Sequence, residues 1–395
     1  MKAHIRIIAI GTILLLAQTS QAAFYGDPPD EHHPWSVHDH NRPQPKVVTP
    51  GSFSTAAQPG KPPSDAIVLF DGTDATLKAN WESDKKGTPP LKWVVKDGAM
   101  QCVPGSGYVR TKTKFGDCQL HVEWAAPKEV KGSSQGRGNS GIFLMGMCEV
   151  QVLDNFNNET YTDGMAGSVY GINPPMVNPL RPPGEFQVVD LIFRRPVWKD
   201  GKVLAPGYLT VFINGVLVQD HTPLEGGGGH KRRSKPRAFP ETGPLKFQDH
   251  GNPVRYRNVW YRKLPPRAVE GGTDGFLTTE ATLAKRKEIA ATVRADAAKL
   301  KDPQNPLPEM LRLLESLTYE KDEPTFQKAS QMAAAYVTAI KQVPAGKLEP
   351  KKNEVKQVFD ACQYLAKFKI VPADFSPKVE LEKIIKAQGW DKKKK

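Results

Sequence analysis

Residues 139–155 read NSGIFLMGMCEVQVLDN, and this stretch decides how the surrounding chain folds. Its branched and aromatic residues, placed between turn-forming ends, predict one long β-strand. Because side chains alternate across a strand, the even-numbered positions from Ile142 to Val152 form one uniformly small or apolar face. The opposite face begins with apolar side chains and ends with Glu149 and Gln151. The pattern therefore predicts a strand with one face in a core and the other against solvent or a groove.

The same alternation continues over residues 67–264, in short runs separated by Gly, Pro, Asn and Asp. Asn214 and Gly215 lie between two such runs, and this pair supplies the two positive φ values of a tight hairpin turn. Many short strands joined by such turns are typical of an antiparallel sandwich. We therefore predict a mainly β fold, an antiparallel β-sandwich jelly roll, over residues 65–266.

The pattern becomes helical after Gly275. In the segment LPEMLRLLESLTYE, apolar residues recur at helical spacing from Leu307 to Leu317 and form one stripe. We predict a small C-terminal α-helical domain over residues 276–395. It contains no catalytic constellation, so we expect it to contact a partner protein or to self-associate.

The N-terminus has the pattern of a signal peptide over residues 1–23. A short basic start with Lys2 and Arg6 is followed by an apolar run and by the small residues SQAA. We therefore expect an exported protein, either periplasmic or extracellular. No later segment is apolar over the length needed to span a bilayer, so we expect no transmembrane segment.

Residues 24–64 are rich in Pro, His, Gly and Asp. Proline at this density excludes helices and sheet ladders, so we interpret the segment as a Pro/His-rich linker or an extended arm. Trp35 is unusual in a free linker and indicates that the arm docks on the protein.

The formal net charge is +13, and the four cysteines lack the spacing of a metal site. A basic exported protein can contact acidic glycans, but a basic surface that only favours solubility is the simpler explanation of the charge. The sequence lacks the aromatic and basic motifs of nucleic-acid binding, so we expect no nucleic-acid partner.

Asp154 breaks the alternation of the quoted stretch, because strict parity would place its carboxylate on the core face. Either the strand ends at Leu153, or a bulge turns Asp154 toward the side of Glu149 and Gln151. In the second case three polar side chains converge on one patch, which predicts a platform for a ligand, a metal or catalysis.

Nine sequence elements follow one another over residues 67–264. In chain order they are LFDGTD, WVVKDGAM, YVRTKTKFGDCQLHVEW, GNSGIFL, CEVQVLD, GSVYG, PPGEFQVVDLIF, TVFINGVLV and LKFQDHGNPVRYRNVWYRKL. In the order and spacing of these elements, the segment resembles the 3-keto-disaccharide hydrolase domain family. The resemblance implies a concanavalin-like jelly roll that acts on saccharides oxidised at carbon 3. It does not extend to the N-terminal arm or the helical domain.

A ketone at C3 acidifies the hydrogen on C2, and the resulting enolate can expel the C1 substituent before water adds. Such chemistry needs a base and a group that stabilises the enolate oxygen. We assign the base to Glu149 or His250, and the stabilising group to Arg257 or to a divalent metal such as Ca²⁺. Glu149, Asp154 and His250 are the predicted metal ligands. The predicted saccharide-binding residues are Asn139, Gln151, Tyr170 and Gln248.

Two other functions fit the same sequence. A glucanase of this fold would use two carboxylates on one strand, but here Gln151 replaces the middle carboxylate of that pattern. A lectin-like carbohydrate-binding module would use the same groove without cleaving a bond. A perturbed carboxylate beside the groove distinguishes an enzyme from a lectin.

Overall fold

The computed structural model describes residues 24–224, 226, 229–232, 235–273 and 275–391. The predicted signal peptide lies outside these residues. The described chain forms two compact units. One consists of residues 45–272, and the other combines residues 24–44 with residues 273–391.

Residues 45–272 contain the strands of the described chain. These are β1 (Ile67–Phe70), β2 (Trp81–Ser83), β3 (Val94–Lys96), β4 (Ala99–Gln101), β5 (Val109–Phe115), β6 (Cys118–Ala125), β7 (Ser140–Leu144), β8 (Cys148–Val152), β9 (Gln187–Arg194), β10 (Val197–Lys199), β11 (Lys202–Ala205), β12 (Gly207–Ile213), β13 (Val216–Leu224), β14 (Gly243–Phe247) and β15 (Arg255–Lys263).

The strands form two antiparallel sheets and a small ribbon. Among the described residues, the small sheet has the order β2-β5-β14-β7-β8. The large sheet has the order β13-β12-β9-β6-β15-β4-β3, and β1 also pairs with β15. β10 and β11 form the ribbon. The sheets are therefore antiparallel throughout, as expected for a jelly roll.

Aromatic rings join the inner faces of the two sheets. Phe247 of the small sheet stacks on Tyr256 of the large sheet with ring centroids 4.0 Å apart. Phe115 and Tyr261 form a second stack across the same interface at 3.9 Å. These residues are buried in one continuous hydrophobic core, so the two sheets form the predicted β-sandwich.

The predicted hairpin at Asn214-Gly215 is confirmed. Both residues have positive φ, 53° and 80°, in the two-residue turn between β12 and β13. This is the conformation that matches the twist of the flanking strands, and Asn-Gly is the sequence that adopts it most readily.

The helices are α1 (Asp74–Asn80), in the sandwich unit, and α2 (Thr279–Lys299), α3 (Leu307–Tyr319), α4 (Glu323–Gln342), α5 (Lys352–Lys367) and α6 (Ser376–Ala387), in the other unit. Capping side chains set some of the starts: the hydroxyl of Thr278 accepts from the backbone of Ala281, and the carboxylate of Asp322 accepts from that of Thr325. The stripe predicted on α3 is confirmed, since Met310, Leu311, Leu314 and Leu317 are buried in the core of the helical unit.

None of the described helices has the length and apolar character needed to cross a bilayer.

Residues 24–64 are not one linker. The first part packs within the helical unit, where Trp35 contacts a cluster that includes Ile289 and Val293. The second part lies on the large sheet, where backbone carbonyls of residues 55–57 accept hydrogen bonds from Arg257. The prolines exclude regular structure, but side chains of the neighbouring elements hold the extended backbone.

Substitution of Phe247 tests the packing between the sheets, since its ring stacks on both Trp81 and Tyr256 and has no exposed surface. We expect Phe247→Ala to lower the free energy of unfolding by about 3–5 kcal/mol through loss of buried area and a residual cavity. Phe53→Ala is the matched control, because the Phe53 side chain is fully exposed. Chemical denaturation measures both, and equal stabilities of the two variants would contradict this account of the core.

Candidate active site

The stretch NSGIFLMGMCEVQVLDN forms a hairpin, so the prediction of a single strand is wrong. β7 and β8 pair antiparallel, and the chain reverses at Met145 and Gly146, which have φ of 53° and 66°. Three residues connect the strands, so odd-numbered and even-numbered positions keep their own faces through the turn. Ile142 and Val150 on the even face are buried in the core, as predicted. The odd face is the outer face of the small sheet.

Strand pairing arranges the outer face of the small sheet in two transverse rows. Neighbours within a row lie on adjacent strands, where paired Cβ atoms are about 4.5–5.5 Å apart. The first row is Glu82, Arg110, Lys246, Phe143, Glu149 and Tyr170. The second row is Asp84, Tyr108, Gln248, Gly141, Gln151 and Ser168. The last member of each row belongs to a short segment that pairs with β8 through Val150 and Val169.

Glu149 is half-buried, and no hydrogen bond or ion pair reaches its carboxylate from any described residue. Burial raises the pKa of Glu149 from 4.5 to about 8. Its carboxylate lies over Gly141, where an added Cβ would be 2.2 Å from Oε1 of Glu149 and 2.9 Å from the ring of Phe143. Glycine at position 141 therefore makes the space in which this carboxylate lies.

Tyr170 lies beside Glu149 because its backbone N–H donates to the Glu149 carbonyl, at 3.1 Å. The Tyr170 hydroxyl is 2.9 Å from the hydroxyl of Tyr161 and 3.2 Å from Nδ1 of His230. Burial and the hydrogen bond with Tyr161 raise the pKa of Tyr170, so its phenol stays protonated. A protonated phenol next to an unpaired carboxylate provides a hydrogen-bond donor and a base on one surface.

The predicted saccharide-binding amides Gln151 and Gln248 lie in the second row, Asn139 directly precedes β7, and all three donate hydrogen bonds within the protein. Asn139 is buried, and its amide nitrogen donates to the carbonyl of Gln135 at 2.7 Å. The side-chain nitrogen of Gln151 also donates to Gln135, to its side-chain oxygen at 3.0 Å. Gln248 donates to the hydroxyl of Tyr108 at 2.7 Å. The side-chain oxygens of all three predicted amides have no partner among the described residues.

The predicted metal ligands Glu149, Asp154 and His250 are not brought together. Of the two alternatives for Asp154, the structure has a strand that ends before it, since β8 ends at Val152, and the carboxylate of Asp154 is 2.7 Å from Nε of Arg137 in a buried ion pair. His250 is exposed and lines a cleft of about 510 Å³ with Asp154, which Glu149 does not line. The described residues include no group of three His, Cys, Asp or Glu side chains arranged to hold a metal.

Arg257 was predicted to stabilise an oxyanion near Glu149, and the structure contradicts this. Tyr256 faces the core, so the next residue of β15 points to the outer face of the large sheet, on the other side of the sandwich. There Nε of Arg257 donates to the fully buried carboxylate of Glu123 at 2.7 Å. Arg257 therefore neutralises a buried charge and also holds the segment at residues 55–57.

Sequence reasoning missed several residues of the site. Tyr108 precedes β5, and Tyr161 and His230 lie in loops, where no periodicity predicts which way a side chain points. Gly141 carried a usable signal, because a glycine inside a strand often marks the close approach of another group.

Arg257→Leu separates the structural role of this arginine from a catalytic one. Removing it leaves Glu123 buried with fewer partners, so we expect the free energy of unfolding to fall by about 3–5 kcal/mol. Activity per folded molecule should stay within about twofold of the wild type, since Arg257 lies far from Glu149. A stable variant that lost activity would contradict the assignment; Arg255→Leu, on the same strand, is the control.

Known structures resemble the sandwich. A candidate glycosyl hydrolase from Parabacteroides distasonis is 41% identical, with a TM-score of 0.52, over 56% of this chain and 93% of its own. A second candidate glycosyl hydrolase from the same organism is 21% identical over 51% of this chain and 94% of its own, with a TM-score of 0.36. No curated protein matches the chain. Residues 65–262 match the family described as the 3-keto-alpha-glucoside-1,2-lyase-like domain, and the chain belongs to that family.

Proposed function

We propose that the protein cleaves the glycosidic bond of 3-keto-glycosides by proton abstraction at C2, elimination at C1 and hydration. The observation that carries this proposal is Glu149, a half-buried carboxylate that has no partner among the described residues and whose pKa is raised to about 8. Perturbed carboxylates of this kind cluster at functional sites. The name of the family to which the chain belongs supports the substrate class.

Glu149 acts as the base in this reaction. Its ionised carboxylate takes the proton from C2, the electrons of the C–H bond form the enolate with the C3 ketone, and the enolate then expels the oxygen on C1. Water adds to the unsaturated product, so the overall change is hydrolysis. A carboxylate with a pKa near 8 is a stronger base than one near 4.5, which suits the removal of a carbon-bound proton.

Besides the base, the reaction needs a group that stabilises the developing negative charge and a surface that binds the sugar. Tyr170 and the aromatic residues around Glu149 supply both. The protonated phenol of Tyr170 donates a hydrogen bond to an oxygen on which negative charge develops. The rings of Tyr108 and Phe143, with centroids 5.7 Å apart, offer apolar surface for a sugar ring. Gln248, in the second row, can orient sugar hydroxyls.

The positions of Asp154, which ends the predicted glucanase pattern, and of Glu82, in the first row, disfavour a glucanase that pairs either of them with Glu149. Such enzymes hold their carboxyl groups about 5–10 Å apart. Asp154 is committed to Arg137 beyond the end of β8, and Glu82 lies four strands from Glu149, about 19 Å away at the usual strand spacing. A lectin would also have no use for a carboxylate such as Glu149, because burying a charge that has no partner among the described residues lowers the stability of the fold.

Glu149→Gln tests the proposed base. The amide keeps the shape of the side chain but cannot accept the C2 proton, so we expect turnover of a 3-keto-glucoside to fall by about 10²–10⁴. Glu241→Gln, at an exposed glutamate of the same unit, is the control and should leave the rate unchanged. Release of the free 3-keto sugar is the measurement. Undiminished turnover in Glu149→Gln would contradict the assignment of Glu149 as the base. If the wild type binds the glycoside without cleaving it, the lectin is the better description.

The raised pKa of Glu149 also predicts two pH effects. Turnover should rise with pH and level off above about pH 8, as the base ionises. The protonated carboxyl stabilises the folded state below about pH 4.5, and this contribution is lost as the pH rises through about 8. Relative to the wild type, Glu149→Gln should therefore gain about 1–3 kcal/mol of unfolding free energy between pH 5 and pH 9. A flat difference across this range, measured by denaturation, would contradict the assignment of the pKa.

A further inference from the structure

A cleft of about 430 Å³ opens on the outer face of the small sheet, along β5 and β14. We call it the basic cleft, because Arg110, Lys112, Lys114 and Lys246 line it together with one carboxylate, Glu82. The mechanism proposed above uses none of these cations.

A bulge in β5 makes the lysines of the basic cleft project. Arg110 pairs with Lys246, and Lys114 pairs with Pro244, so β5 has two more residues than β14 between the same two pairs. The hydroxyl of Thr111 accepts from the backbone of Leu245 at 3.0 Å, which satisfies a donor inside the bulge. Bulges of this kind redirect side chains and are common beside active sites.

The basic cleft carries positive charge that the described residues do not neutralise. Nε of Arg110 is 2.8 Å from Glu82, and Nζ of Lys246 is 2.8 Å from Asp84, so these cations are paired. Among the described residues, Lys112 donates to a backbone carbonyl, that of Lys78, at 2.6 Å, and to no carboxylate. Lys114 is exposed and has no ion pair with any described residue. Two ammonium groups of the cleft therefore have no carboxylate partner in the part of the chain that the structure describes.

The basic cleft is close to Glu149. Lys246 is next to Phe143 in the first row, and Phe143 is next to Glu149, so two strand spacings of about 5 Å separate the lysine from the base. The stem of Lys246 also lies over Gly146, where an added Cβ would be 2.6 Å from its Cε. One saccharide chain can therefore contact both the basic cleft and the base.

We propose that the basic cleft binds an anionic group of the saccharide, a carboxylate, sulfate or phosphate, carried by a sugar unit next to the one at Glu149. The inference rests on the proposed function in one respect, because that function places the sugar unit to be cleaved at Glu149 and so sets the direction in which the saccharide lies. A cleft lined by ammonium and guanidinium groups raises the local concentration of anions and favours their binding over that of neutral sugars. The substrate class is thus an acidic glycoside.

Binding of defined probes tests the basic cleft without any turnover. The probes are a galacturonate oligomer, a sulfated galactose oligomer, a glucose phosphate and a neutral gluco-oligosaccharide, titrated calorimetrically into the wild type at low and at physiological salt. We expect at least one acidic probe to bind more tightly than the neutral one, and salt to reduce that difference because exposed charges are screened. The acidic probe that binds identifies the source of the anion.

The double variant Lys112→Ala/Lys114→Ala should lose about tenfold in affinity for that probe, and Lys114→Glu should lose at least as much. The control is Lys199→Ala/Lys202→Ala, which removes two exposed lysines of the β10–β11 ribbon and should change the affinity less than twofold. Unchanged melting temperatures show that each variant is folded.

Equal affinity of the wild type for acidic and neutral probes would overturn the inference, as would a full acidic preference in the double variant. These outcomes are independent of the proposed function. If Glu149→Gln loses cleavage and the lysine variants keep the preference for the acidic probe, Glu149 remains the proposed base and the basic cleft is not the anion site. If the acidic preference depends on the lysines but the protein cleaves no 3-keto-glycoside, the basic cleft remains the anion site and the proposed function is wrong.

Discussion

The small sheet has one mainly apolar face, and the need to bury that face against the large sheet determines that Glu149 and Gln151 of the hairpin lie on the opposite face. Ile142 and Val150 enter the core, so Phe143 and Glu149 must lie on the outer face. The stacking of Phe247 on Tyr256 fixes the distance between the sheets. The candidate active site follows from this constraint, because it consists of the residues that the packing leaves outside.

The two outer faces of the sandwich differ in whether their buried charges are paired. Glu149 on the small sheet has no partner among the described residues, whereas the buried charges around Glu123 on the large sheet are paired. On the large sheet, burial opposes ionisation of Glu123, but hydrogen bonds from His121, Asn258 and Arg257 keep its pKa below the usual value. Burial also opposes the charge on His121, but the hydrogen bond with Asp190 raises its pKa to about 9. Every charge in that network has a partner, which is what structural stability requires.

Sequence periodicity predicted the sandwich and the outward side chains because both depend on local alternation. It did not predict the reversal at Met145, since a methionine with positive φ is no turn signal. It placed Arg257 and Asp154 wrongly for a different reason. Parity within a strand shows which residues share a face, but it does not show which sheet the strand joins or which ion pairs form. Those depend on contacts between residues far apart in the chain, such as Arg257 with Glu123.

Glu149, on the outer face of the small sheet, departs from the rule that buried charges are paired, since no described residue is its partner. Lys246 lies two strands away and is already bound to Asp84, and Gly141 gives the carboxylate room without giving it a donor. An arginine or an asparagine in place of Phe143 would lower the pKa of Glu149 and remove the cost of its burial. A chain selected only for stability would be expected to carry such a partner. The absence of one among the described residues therefore argues that the proton affinity of Glu149 is what the site requires, since local departures from stability are expected where function sets the requirement.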